Sequence, residues 1–102
     1  MTVKPAKIRH SSPWYVYILR CADDSLYTGI TTDVVRREQE HNSKNKIGAK
    51  YTRARQPVEM IYREMLTSRS TATRREIAIK KMTRRRKELL IGSVHQICLF
   101  YC

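Results

Sequence analysis

The chain has 102 residues, room for one small domain with a modest core. It sets 21 Lys and Arg against 9 Asp and Glu, a formal net charge of +12. Folding has no use for that self-repulsion but a phosphate-bearing partner does, nucleic acid first and an acidic membrane surface second. No apolar run approaches the ~20 residues of a spanning helix, and three cysteines, Cys21, Cys98 and Cys102, suit a reducing cytoplasm better than a disulfide framework.

Residues 1–13, MTVKPAKIRHSSP, have no apolar h-region and read as a flexible basic leader rather than a secretory signal. Residues 14–20, WYVYILR, are rich in aromatic and β-branched types and predict a strand. CADDS, residues 21–25, is a turn in which Asp23 and Asp24 suit local side-chain hydrogen bonds, and LYTGI, residues 26–30, is the returning strand of a hairpin. A helix capped by Thr31, Thr32 or Asp33 then runs to about Asn42.

Residues 43–57 carry five basic residues and no acidic one, a long loop of the kind that is functional or disordered. Residues 58–65 alternate as a third strand, with Val58, Met60 and Tyr62 on one side. From Ser68 or Ser70 a helical region follows to about Ile91, with a break near Thr83 and Gly92 as its stop. The apolar tail, residues 92–102, packs on its own domain or on a second copy. Its His95, Cys98 and Cys102 lack the fourth ligand and paired spacing of a zinc site. The order β-β-α-β-α-α predicts an α+β fold, a small three-stranded antiparallel sheet flanked by helices.

Strand alternation places Tyr15 and Tyr17 on one face and Tyr27 with Gly29 on one face of the returning strand. Gly29 leaves space there for a ligand or another backbone. Arg37 and His41 share a face of the first helix, which begins beside this strand. Glu76 interrupts an otherwise apolar stripe between Ala72 and Ile79, a costly place for a carboxylate that is neither paired nor metal-bound.

This ordered set resembles the GIY-YIG nuclease domain: "YVY" at 15–17, "YTG" ten residues later at 27–29, Arg37 eight after the glycine, His41 four after that, and one glutamate, Glu76, on a later helix. The resemblance covers about residues 14–91 and is closest to small bacterial single-domain members, similar to the domain of structure-specific endonuclease subunits. Tyr15 stands where the first half-motif has glycine, Val16 and Thr28 where the two middle residues lie. The resemblance implies hydrolysis of DNA phosphodiesters, directed by structure rather than sequence, with one divalent metal, Mg²⁺ or Mn²⁺. It implies Tyr17 and Tyr27 as the motif tyrosines, Arg37 as the phosphate-stabilising cation, His41 as the downstream histidine and Glu76 as the metal ligand. Arg37 and the metal would favour a tyrosine phenolate; Tyr17, Tyr27 and His41 all remain open as the base.

Each of these residues also has a plainer reading. Strand tyrosines are commonly core, and Tyr15, Tyr62 and Tyr101 are read so. Arg36 is a solvated cation, and His41 near a helix C-terminus is equally explained by the helix dipole. Glu76 can pair with Arg75 or Lys80. Two basic patches are candidates for nucleic-acid contact: Lys44, Lys46, Lys50, Arg53 and Arg55, with Tyr51 among them to stack on a base, and Lys80 with Arg84 on the last helices. The alternative to an enzyme is a non-catalytic DNA- or RNA-binding module of the same fold, or a subunit active only with a partner protein.

Overall fold

The protein, seen in a computed structural model, is described for residues 13–44 and 47–101, with side chains described as far as residue 93. The leader 1–12, Lys46 and the side chains of His95, Cys98 and Cys102 lie outside the described residues.

WYVYILR forms strand β1, Trp14–Arg20, and LYTGIT forms β2, Leu26–Thr31. The two pair antiparallel, with Tyr17 opposite Gly29 and Leu19 opposite Tyr27. In the turn between them, the Cys21 N–H donates to the Ser25 carbonyl at 2.9 Å, and the Asp23 carboxylate accepts from the Ser25 N–H at 3.0 Å. Asp24 adopts a φ of 70°, which a short polar side chain tolerates.

Strand β3, Glu59–Leu66, pairs with the other edge of β1, so the order is β2-β1-β3 and the sheet is antiparallel throughout. Its pairing is irregular at Ile61: Leu19 faces Met60 while Ile18 faces Tyr62. The extra residue of this bulge inverts the alternation expected for the strand. Val58 and Met60 pack with Tyr17, Leu19 and Cys21 on one face. Tyr62 turns to the other face, with Val16, Ile18 and Ile79.

That second face is covered by helices α3, Arg69–Lys80, and α4, Arg84–Tyr101, through Ile79, Met82, Leu90 and Ile91. Ser68 caps α3 in a reciprocal capping box with Thr71. The break falls after Lys80, and the Thr83 hydroxyl accepts from the Arg86 N–H at 3.2 Å to start α4. Gly92 does not end this helix, which runs on to Tyr101. A glycine terminates a helix by taking a positive φ, and no described glycine does so. Among the described residues no helix is long and apolar enough to cross a membrane.

Helix α1, Val34–His41, starts at Asp33, whose carboxylate accepts from the Arg36 N–H at 3.1 Å. The stretch 43–57, expected as one long loop, contains a short helix α2, Lys50–Arg53, and is tied to the end of α1. The Gln56 amide donates to the carbonyls of His41, at 2.9 Å, and Ser43, at 2.6 Å. The Asn42 side chain pairs with both backbone groups of Val58, donating at 2.9 Å and accepting at 2.7 Å. Gly48 lies so close to α1 that a Cβ there would stand 2.7 Å from the Glu40 carbonyl oxygen. The Gln56 bonds occupy carbonyls at the end of α1, and these contacts hold residues 47–57 against that helix.

Candidate active site

Tyr17 points from the central strand onto the α1 face. Its ring fills the space above Gly29: a Cβ at 29 would meet the Tyr17 hydroxyl at 2.5 Å. The space expected to admit a ligand is thus occupied by the protein's own tyrosine. Gly29 serves the site by letting the Tyr17 hydroxyl lie across β2.

There the hydroxyl meets His41, 2.8 Å from Nε2. His41 Nδ1 lies 2.8 Å from the Thr52 hydroxyl oxygen, and that hydroxyl donates to the Ala49 carbonyl at 2.9 Å. The Ala49 N–H also points at Nδ1, but at 3.5 Å, too long to compete with Thr52 at 2.8 Å. With its only proton given to Ala49, Thr52 accepts from Nδ1–H, which leaves Nε2 as an acceptor for the Tyr17 proton. The line Tyr17–His41–Thr52–Ala49 therefore has one consistent direction. It leaves the outward lone pairs of the Tyr17 oxygen free to accept.

His41 is fully buried. Burial, with the Arg37 charge adding to it, pushes its pKa down to about 4. A neutral imidazole gains little from a helix C-terminus, so the dipole reading of His41 does not hold at neutral pH. Burial likewise raises the Tyr17 pKa to about 12; Arg37 opposes this and loses. Arg37 does favour the Tyr17 phenolate, as expected, but burial outweighs it. A neutral His41 beside a protonated Tyr17 forms a hydrogen-bonded pair, with burial holding each in its uncharged form.

Arg37 Nη1 donates to the Glu40 carboxylate at 2.7 Å and to the Ile47 carbonyl at 2.9 Å. The same guanidinium lies beside the Tyr17 hydroxyl. Its fork is thus held at one corner, Nη1, beside Tyr17. Tyr27 packs on His41, ring centroids 5.2 Å apart, and its hydroxyl makes no hydrogen bond to another described residue. Tyr17 is 1% exposed while Tyr27 is only half-buried, so Tyr27 is the tyrosine open to solvent.

Glu76 sits on α3 between the buried Ala72 and Ile79, near enough for its charge to act on Tyr17. Its carboxylate pairs with Lys80 at 3.2 Å, the lysine being 52% exposed and the glutamate 19%. A half-buried carboxylate whose one partner is a flexible surface cation fits a hard, water-carrying divalent ion, which needs only one or two protein oxygens. No cluster of three acidic, His or Cys ligands occurs among the described residues.

The basic residues divide. Lys44 and Lys50 are exposed and have no partner among the described residues. Arg53 donates to the Gly48 carbonyl at 3.3 Å, and Arg84 pairs with Asp24 at 3.2 Å and Glu88 at 2.9 Å. The Tyr51 ring stacks on Tyr27, centroids 5.9 Å apart, carries the Arg55 guanidinium 3.8 Å from its centroid, and is 39% exposed. Thr52, Ala49, Gln56 and Asn42 were missed in the sequence; the only signal was their place in an otherwise basic loop.

A family model described as the GIY-YIG catalytic domain matches residues 13–89. The chain is 55% identical over 78 residues to a UPF0213 protein of Desulfotalea psychrophila, covering 76% of this chain and 70% of that one. It is 52% identical over 78 residues to a UPF0213 protein of Natronomonas pharaonis, covering 76% and 89%. Among solved structures, the solution structure of a UPF0213 protein from Bacillus halodurans is 46% identical, covers 78% of this chain and 83% of that one, and superposes with a TM-score of 0.51. A protein from E. faecalis, also solved in solution, is 46% identical, covers 82% and 88%, and gives a TM-score of 0.56.

Proposed function

The chain belongs to the GIY-YIG catalytic domain family, and from that premise we propose that it is a metal-dependent endonuclease acting on DNA phosphodiesters, selecting structure rather than sequence. The observation that carries this reading is the held Arg37 fork, fixed by Glu40 and the Ile47 carbonyl and lying beside Tyr17, with Tyr27 and the carboxylate of Glu76 near enough to act on Tyr17 as well. A pre-positioned guanidinium binds phosphate through two donors and meets the charge that grows on its oxygens as water attacks.

Four roles follow. Arg37 grips the phosphate. Tyr27 orients the attacking water. Tyr17, too buried to meet the substrate unaided, holds Arg37 in place, and His41 with Thr52 fixes the direction of the Tyr17 hydroxyl. Glu76 would hold Mg²⁺ or Mn²⁺, and Lys80 would release it to do so. The metal supplies Lewis-acid stabilisation of the phosphate. Water attack forms one P–O bond and breaks the bond to the departing strand.

The net charge of +12 supplies attraction to the nucleic acid, with Lys44 and Lys50 available to phosphates and Lys46, Arg53, Arg55, Lys80 and Arg84 adding to the field. The test is cleavage of duplex, single-stranded, flap and four-way-junction DNA with Mg²⁺ or Mn²⁺, wild type beside Glu76→Ala and Arg37→Ala. Cleavage by the wild type alone supports the reading. Cleavage by all three proteins overturns it, and binding without cleavage by any assigns the chain to a binding module or to a subunit that needs a partner protein.

A further inference from the structure

Tyr27, Tyr51 and Arg55 form a pile with separations of 5.9 Å and 3.8 Å, and His41 meets Tyr27 at 5.2 Å with the two rings tilted by 59°. Tyr27 and Tyr51 are nearly parallel, at 26°. The pile begins in the buried site and ends at the surface, where Arg55 is the last plate.

Arg55 is held as a plate. Its Nε donates to Asp23 at 3.0 Å and its Nη1 to the Tyr51 carbonyl at 2.9 Å. Asp23 is itself fixed by the hairpin turn through Ser25. Bonds in the guanidinium plane from two separate segments, with a ring beneath, leave the group one orientation. Its outer face is open, with the side chain 34% exposed. A depression of about 630 Å³, within the size range of small-ligand sites, adjoins it, lined by Lys50, Tyr51, Arg53, Ala54 and Arg55. An isolated surface arginine would sample many rotamers; this one has surrendered that freedom without burying its face.

We propose that the outer face of Arg55 is a stacking platform for one unpaired nucleobase, with Lys50 taking the neighbouring phosphate. A guanidinium plane stacks on any base, and only an unpaired base can turn a whole face to it. Arg55 continues the pile that starts at Tyr27, so the platform stands on the same side of the domain as Tyr27. A substrate with a single-stranded nucleotide beside the scissile phosphate satisfies both sites, whereas a continuous duplex satisfies only the phosphate-binding one. The inference rests on the nucleic-acid reading above and names the feature of DNA structure that would be selected.

The test is fluorescence anisotropy without metal, using a labelled flap DNA and the same DNA with abasic residues throughout the unpaired segment. The wild type is expected to bind the base-bearing flap roughly ten-fold more tightly, the factor one stacked base contributes. Arg55→Lys keeps the charge and loses the plane, and should bind both DNAs alike. Lys50→Ala should weaken both equally and lower the salt dependence. Equal wild-type affinity for the two DNAs overturns the platform and needs no variant to fold. Undiminished discrimination by folded Arg55→Lys overturns it also. Cleavage of the same DNAs with Mg²⁺ separates the two readings: cleavage without base discrimination removes the platform alone, and no binding to any DNA removes both.

Discussion

The Tyr17 hydroxyl lies over Gly29, 2.5 Å from the position a side-chain carbon at 29 would take. The two residues face each other across β1 and β2, so neither can move without disturbing the hairpin. Gly29→Ala must push the Tyr17 ring aside and break its bond to His41. We expect a loss of about 1–3 kcal/mol in stability, the usual cost of an overpacked core, read by urea denaturation. Unchanged stability would mean that the ring is not seated there.

Tyr17→Phe and Tyr27→Phe should separate structure from chemistry. Removing the Tyr17 hydroxyl strands the buried His41 Nε2 acceptor, costing about 1–3 kcal/mol. It also releases Arg37, lowering the cleavage rate roughly 100-fold through misplacement. Tyr27→Phe removes a hydroxyl with no described partner. Its stability should stay within about 0.5 kcal/mol of wild type, while kcat falls about 100-fold or more at little change in KM. Thermal melts and steady-state kinetics on both variants decide, and the reverse pattern would exchange the two roles.

Acid should act through His41. Its folded pKa near 4 lies below the unfolded value of 6.5, so between these limits the unfolded chain binds the proton and the folded one does not. The His41 contribution to stability is intact above about pH 6.5. It is lost progressively towards pH 4, by roughly 3 kcal/mol in all. NMR of the His41 ring nitrogens should show the neutral tautomer with Nδ1 protonated down to about pH 5. A midpoint near 6.5 for this ring would contradict the buried arrangement.

Thr52→Val replaces the hydroxyl that accepts from His41 Nδ1 with a methyl group. The Nδ1–H is left buried without that acceptor, and the ring loses the contact that selects its tautomer. Stability should fall by about 1–3 kcal/mol, and a mixture of tautomers should appear in the same nitrogen spectra. A single, unchanged tautomer would show that Thr52 does not set the direction of the hydrogen-bond line.

The elements were legible wherever local chemistry decides them. The hairpin, the Asp33 cap, the Ser68 start and the break near Thr83 each rest on side chains within a few residues of the backbone they serve. Where a contact from far along the chain decides, local reasoning fails. Ile61 bulges because of how β3 pairs with β1, which no pattern within 58–65 reveals. Residues 47–57 are held in place because Gly48 and Gln56 meet the end of α1 and Asn42 meets Val58. Gly92 stays helical although its type suggested a stop.

By itself the sequence determined the class of fold, the large positive charge and the spacing of Tyr17, Tyr27, Arg37, His41 and Glu76, because composition and short-range periodicity are properties of the chain alone. Only the tertiary structure decided how those groups differ. Burial is a collective result of packing, and burial makes His41 neutral, keeps Tyr17 protonated and leaves Tyr27 the open hydroxyl. The same packing set the Tyr51 ring against Tyr27 and laid the Arg55 guanidinium over it, so that tyrosine and arginine form one surface stack.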